Sequence, residues 1–155
     1  LRSLKKVKGT PVFFEKKNKY IGKITDLILT EREAAVQGYW VHDHRWWSKK
    51  HFLPLDKIAD EDGNGVYVKE GTTLKTVYKF NKRFVDGSGH SFGKTLREKD
   101  GSIIGIIEDV YFLPDSGKIV GYEISEGLFS DLKHGIKVFK PQSPLIETEE
   151  SFVVK

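Results

Sequence analysis

Tyr20-Ile21-Gly22-Lys23-Ile24-Thr25-Asp26-Leu27-Ile28-Leu29 comes back 83 residues later as Ile103-Ile104-Gly105-Ile106-Ile107-Glu108-Asp109-Val110-Tyr111-Phe112. Gly22 falls on Gly105 and Asp26 on Asp109, while Ile21, Ile24 and Leu27 fall on Ile104, Ile107 and Val110. The same offset carries Gly38-Tyr39 onto Gly121-Tyr122, Val41 onto Ile124 and His51 onto His134. Upstream, Gly9-Thr10-Pro11-Val12 answers Gly93-Lys94-Thr95-Leu96 with one residue of slippage. Near the ends, Gly65-Val66-Tyr67-Val68-Lys69 answers Ser151-Phe152-Val153-Val154-Lys155 at an offset of 86. Identities at one offset, set inside matching apolar patterns, signal a duplication, and a repeat fixes the architecture before any single element does.

Each copy reads as strands. In the first these are 12–15, 20–29, 36–42, 51–55 and 65–69, separated by Asn18-Lys19, by 30–35 and by Asp60-Glu61-Asp62-Gly63-Asn64-Gly65. Glycine inside the long strand points to a bend or a close backbone approach. Pro54 predicts a short helical turn at Leu55–Ile58. In the second copy Lys99-Asp100-Gly101-Ser102 and Pro114-Asp115-Ser116-Gly117 supply the turns. Five or six short strands in each copy predict an all-β chain of two small closed barrels, because closure removes exposed edges. The expected organisation is module 1 over 1–72, a linker over 73–92 and module 2 over 93–155. Within the linker, Thr72–Tyr78 reads equally as a helical turn or a strand, and Asp86-Gly87-Ser88-Gly89 as flexible. Modules this small are marginal alone, so they are expected to pack on each other or to dimerise.

Composition narrows the chemistry. The 155 residues contain no cysteine, which removes disulfides, thiol chemistry and Cys-ligated metals. No apolar run approaches the roughly 20 residues of a membrane-spanning helix, and no leader is visible, so a cytoplasmic location is expected. The chain opens on Leu1 and has no Met, which leaves a trimmed N-terminal segment open. Net charge is +4 but segregated: residues 1–23 carry a balance of +7 and residues 75–99 of +5, leaving −8 elsewhere. Such clusters either attract phosphates and acidic surfaces or keep a β protein soluble.

The elements Ile21-Gly22-Lys23-Ile24-Thr25-Asp26, Gly38-Tyr39-Trp40-Val41 and Phe52-Leu53-Pro54-Leu55-Asp56-Lys57-Ile58 resemble the PRC-barrel family. In the second copy Ile104-Gly105-Ile106-Ile107-Glu108-Asp109 and Gly121-Tyr122-Glu123-Ile124 keep the pattern, while Phe139-Lys140-Pro141 departs from it. The family includes the cytoplasmic domain of the photosynthetic reaction-centre H subunit and the C-terminal domain of a ribosome maturation factor. The resemblance implies a barrel that contacts other macromolecules, and it brings no catalytic residues.

Val41-His42-Asp43-His44-Arg45-Trp46-Trp47-Ser48-Lys49-Lys50-His51 is the segment richest in chemistry. It reads as a metal site of His42, Asp43, His44 and His51, or as a recognition patch of Arg45, Trp46, Trp47, Lys49 and Lys50. It also reads as a loop whose tryptophans pack on the barrels. The patch is the reading carried forward, joined by the basic turn Lys16, Lys17 and Lys19, with no metal and no cofactor assigned. Its counterpart, Ser125–His134, is acidic and lacks Trp. Gly22, Asp26, Gly38, Gly105, Asp109 and Gly121 are read as structural equivalents, each Asp bonding to a backbone turn. No nucleophile elbow, phosphate-binding Gly-rich loop or His-Glu-x-x-His motif occurs. The expectation is a non-enzymatic adaptor without a small-molecule substrate, whose partner is another protein. An RNA- or ribosome-associated role and docking to an anionic membrane surface are the alternatives.

Overall fold

The computed structural model describes residues 1–30, 35–43, 45, 49–77, 82–126 and 137–155. The chain starts with β1 (Arg2–Ser3) and a single helical turn, α1 (Leu4–Val7). The first copy follows: β2 (Pro11–Phe14), β3 (Tyr20–Leu29), β4 (Val36–His42), β5 (Lys50–Pro54), a 3-10 turn at Leu55–Lys57, β6 (Ile58–Glu61), β7 (Val66–Val68) and β8 (Lys75–Thr76). The second copy has β9 (Thr95–Arg97), β10 (Ile103–Phe112), β11 (Ile119–Ser125), β12 (Lys137–Phe139), β13 (Ile146–Glu147) and β14 (Ser151–Val153). Two curled sheets result, in the orders β6-β7-β2-β3-β4-β5-β8 and β12-β11-β10-β9-β14-β13.

The duplication holds strand by strand. Val12 pairs with Gly22 and, in parallel, with Val66; Leu96 pairs with Gly105 and, in parallel, with Phe152. Both central glycines mark close approaches. A Cβ on Gly22 would lie 2.9 Å from the His42 carbonyl carbon, and one on Gly105 would lie 2.6 Å from the Ser125 carbonyl oxygen. Phe139 pairs with Tyr122 as Leu53 pairs with Tyr39, which settles the register where the sequence departs from the Leu53-Pro54-Leu55 pattern.

Each long strand carries a bulge, between Ile24 and Asp26 and between Ile107 and Asp109. A bulge turns a side chain out of the alternation, and here it turns a carboxylate inward. Asp26 and Asp109 are both 0% exposed. Asp26 accepts the N–H groups of Leu27 (2.8 Å), Val85 (2.9 Å) and Asp86 (3.1 Å), and Arg83 Nε at 3.0 Å. Asp109 accepts the N–H groups of Val110 (2.8 Å), Leu4 (2.9 Å) and Lys5 (3.2 Å). Burial pushes both carboxyl groups above the ordinary range against the pull of these donors.

The backbone held by each carboxylate belongs to the lead-in of the other copy. Residues 2–5 precede copy one but lie on β10 of copy two, with Arg2 opposite Phe112 and Ser3 opposite Tyr111. Residues 82–86 precede copy two but lie on β3 of copy one, where Leu29 N–H donates to Lys82 O and Phe84 N–H to Leu27 O. The stretch expected as a linker is therefore built into the core where it is described. Phe84 is 0% exposed, a burial that contributes about 2–3 kcal/mol, and Lys75–Thr76 forms a strand on β5 rather than a helical turn. One core cluster joins the copies, from Leu4, Val12 and Ile24 to Leu96, Ile107 and Phe152. Tyr39 and Phe112 meet edge to face across the junction, with centroids 6.3 Å apart. Gly117, at φ +75°, donates no side chain to the join: its carbonyl accepts Val36 N–H at 2.7 Å, and a Cβ there would lie 2.0 Å from Val36 O.

Candidate functional site

The basic turn of copy one is pinned from the side. Asn18 takes a left-handed backbone (φ 46°), and Phe14 N–H donates to Lys19 O across the hairpin. Lys16 and Lys17 N–H groups donate to Glu70 Oε1 at 2.8 and 3.3 Å, so a carboxylate from beyond β7 fixes the turn while its three lysines stay exposed. The β4–β5 connection begins with Asp43, which is buried and accepts Arg45 N–H and Nε; Arg45 Nη2 lies 2.7 Å from the same carboxylate. Lys49 and Lys50 are exposed at its far side. Trp46, Trp47, His44 and, in copy two, His134 lie outside the described residues.

The two loops lie at one end of the barrel. Lys23 pairs with His42, and His42 with Lys50, so the β2–β3 turn and the β4–β5 connection leave the sheet on the same side. Lys16, Lys17, Lys19, Lys23, Lys49 and Lys50 are all exposed there. A cleft of about 280 Å³ opens beside Lys19, lined by Phe14, Lys19, Tyr20, Ile21, His51 and Leu74. Tyr20 is 41% exposed and meets Phe13 edge-on, and Phe13 stacks on Tyr67. His51 Nδ1 is buried without a hydrogen-bond partner, and burial first, then Lys49 and His42, lower its pKa. The imidazole is thus neutral near pH 7. Register puts His51 on the face of Val41 and His42 on the face of Lys50, so these two rings point to opposite sides of the sheet. Among the described residues no three His, Cys, Asp or Glu gather as a metal site.

The same end of copy two is different. Its β9–β10 turn carries Glu98, Lys99 and Asp100, with Asp100 closing on Ser102, and Lys137 pairs with Glu126. Ile103 stands where Tyr20 stands and is 62% exposed.

The charge segregation has a structural meaning that the sequence left open. Arg2 bonds Glu61 at 2.6 Å, Lys5 bonds Glu123, Arg83 bonds Asp26 at 3.0 Å, and Lys82 and Lys94 share Glu147, the latter at 2.8 Å. Arg83 also lies 3.6 Å over the Trp40 ring, a contact that adds to the ion pair. These cations of the two basic segments bind the acidic remainder of the chain. Burial opposes ionisation of Glu123, but Lys5 and Tyr111 outweigh it and hold its pKa below the ordinary value; Lys82 and Lys94 do the same for Glu147. The hydrogen bond to Glu123 pushes the Tyr111 hydroxyl up to about 12.

The paired bulges with buried carboxylates, repeated in register in two curled sheets, invite comparison with known families. The PRC-barrel domain model matches residues 2–75 and 92–146. The chain belongs to the PRC-barrel family. The match runs over both copies, and the first segment begins at the exchanged lead-in. A PRC-barrel chain of similar length is the uncharacterised protein YrrD of Bacillus subtilis (strain 168), 27% identical over 160 residues that cover 99% of this chain and 87% of YrrD. Among the described residues no helix is long and apolar enough to cross a membrane.

Proposed function

We propose that this PRC-barrel chain is a cytoplasmic, non-enzymatic binding protein, an adaptor whose working surface is the basic end of copy one. The observation that carries the reading is the convergence of six exposed lysines from two hairpins on one end of the barrel, beside a cleft floored by Phe14, Tyr20, Ile21 and Leu74. The other strongly placed cations, Arg2, Lys5, Arg83 and Lys94, are held by carboxylates within the fold. A surface of this kind fits a protein segment that carries acidic residues around an apolar side chain. The lysines steer the encounter and the cleft fixes the register.

The test is a titration of a fluorescein-labelled peptide of alternating glutamate and leucine, beside single-stranded RNA and anionic vesicles. The peptide is expected to bind, and the combined changes Lys16→Glu, Lys17→Glu and Lys19→Glu to abolish binding. The same charge change at Lys57, Lys99 and Lys155 is expected to leave most of it. Preference for RNA with a steep salt dependence, or for vesicles, would replace the protein partner by that ligand.

A further inference from the structure

Copy one closes the edge of its own sheet. β8 lies antiparallel on β5, with Lys75 opposite Phe52 and Thr76 opposite His51, and Val77 N–H donates to Lys50 O at 3.1 Å. Leu74, just before β8, drops into the cleft beside Tyr20 and Ile21. The equivalent edge in copy two is β12. Val138 pairs with Glu123 as Phe52 pairs with Trp40, so Val138 occupies the position that Lys75 covers in copy one. Alternate residues of an antiparallel strand aim their N–H and C=O groups to opposite sides. By that register Val138 turns its backbone away from β11, and no described strand pairs with it. Val138 is 50% exposed.

Two features lie near this edge. Just past β12 a cavity of about 180 Å³ is lined by Ile119, Tyr122, Pro141 and Leu145, with Lys118 on its wall. Beyond β11, at the start of β10, stand exposed Ile103 and half-buried Ile104, the equivalents of Tyr20 and Ile21, with no described counterpart of Leu74 over them. Lys118 and Lys140 are exposed beside the cavity, and neither ammonium has an acidic partner among the described residues. Two copies meeting edge to edge would bring Lys140 of both chains to one seam, a like-charge contact that works against self-pairing.

We propose that β12 is a docking edge for an extended segment of a partner protein, added antiparallel as β8 is added to β5. The segment brings an aliphatic side chain to Ile103 and Ile104 and acidic residues to Lys118 and Lys140. Main-chain bonds to Val138 supply affinity, and the side chains near the edge supply selectivity. This site is separate from the basic end of copy one and stands or falls independently of it.

The probe is a fluorescein-labelled peptide that copies residues 72–77 behind two added glutamates, titrated into the full chain by fluorescence anisotropy. Saturable binding is expected. It should weaken about tenfold or more when the peptide is N-methylated at the residue that copies Lys75, since one ladder bond is lost and the methyl group keeps the strands apart. Val138→Pro removes the outward N–H while leaving the ladder to β11 intact, and it should weaken binding to a similar extent. In the chain carrying Lys16→Glu, Lys17→Glu and Lys19→Glu, which lacks the acidic-peptide site of copy one, saturable binding that N-methylation weakens should remain. Absence of binding at about 1 mM peptide, or equal affinity for the N-methylated peptide, overturns the proposal, and so does equal affinity in a folded Val138→Pro chain.

Discussion

Copy one and copy two share their interior and differ at their rims. Both curl around a glycine in close contact, both bulge at an aspartate, and both give that aspartate to the other copy's lead-in. The clasps are not identical. Asp26 takes a guanidinium as well as backbone, whereas the arginine of the other lead-in, Arg2, turns away from Asp109 to Glu61 of copy one. At the rims, copy one has a basic end and an edge covered by β8, while copy two has a mixed-charge end and a β12 with no further strand on it among the described residues. The duplication thus keeps what builds a barrel and joins it to its twin, and it varies what faces outward.

Removing a clasp is the most drastic way to break the comparison. Asp26→Ala leaves Arg83 and the N–H groups of Val85 and Asp86 without their acceptor, and it should cost about 3–5 kcal/mol. Asp109→Ala, which strands N–H groups but no guanidinium, should cost about 2–4 kcal/mol. Urea unfolding followed by tryptophan fluorescence and by circular dichroism checks both values. Equal costs would show that Arg83 adds nothing at Asp26.

Gly117→Ala tests the join away from the clasps. Its Cβ would meet Val36 O, and alanine resists a φ of +75°, so a loss of about 2–4 kcal/mol is expected. Gly101→Ala, at a similar φ of +88° but in open space, should cost only about 1 kcal/mol. The same unfolding curves separate the two.

The acid limb of stability reports on the rim ion pairs. Glu123 and Glu147 have folded-state pKa values lowered from the ordinary one. Their contribution is therefore present above the ordinary carboxylate pKa of about 4.3 and is lost as pH falls through the lowered values. Glu147→Gln removes one of these contributions. The urea midpoint of that variant, compared with the parent at pH 7 and pH 3, should fall less steeply with acid. An unchanged pH dependence would mean that Lys82 and Lys94 do not stabilise the ionised form.

The smallest effect on stability is expected at the basic end. Lys16→Glu, Lys17→Glu and Lys19→Glu together should stay within about 0.5 kcal/mol, because these side chains are exposed. The same variant should lose the acidic peptide.

Much of this was legible in the residues. Gly22 with Gly105 and Asp26 with Asp109 announced the repeat, and the alternation around them gave the long strands their boundaries. The exchange was not legible, because the offset drifts. It is 81 between Leu4 and Val85, which bond equivalent carboxylates, 84 between Gly9 and Gly93, 83 along the long strands and 86 at β12. A lead-in on one copy or the other has the same composition, and only the long-range bonds of Asp26 and Asp109 distinguish them. Charge segregation was the available signal: two basic segments in an otherwise acidic chain match Glu61, Glu123 and Glu147 waiting in the remainder. At the candidate site the lysines were visible as a list, but their convergence depends on the register of Lys23, His42 and Lys50. Glu70 carried no sequence signal, since nothing local connects it to a turn 53 and 54 residues away. Trp46 and Trp47, the most prominent residues of the loop, lie outside the described residues, so the surface rests on its lysines and cleft.

The reciprocal clasp is the centre of this account, and amide hydrogen exchange of Asp109→Ala tests it most directly. Because the substituted carboxylate lies in copy two and holds the lead-in of copy one within a shared core, Ile24 and Leu27 should lose protection together with Ile107 and Val110, by the same free energy. Loss confined to Ile107, Val110 and their neighbours, with copy one unchanged, would show two independent barrels and contradict the interlock.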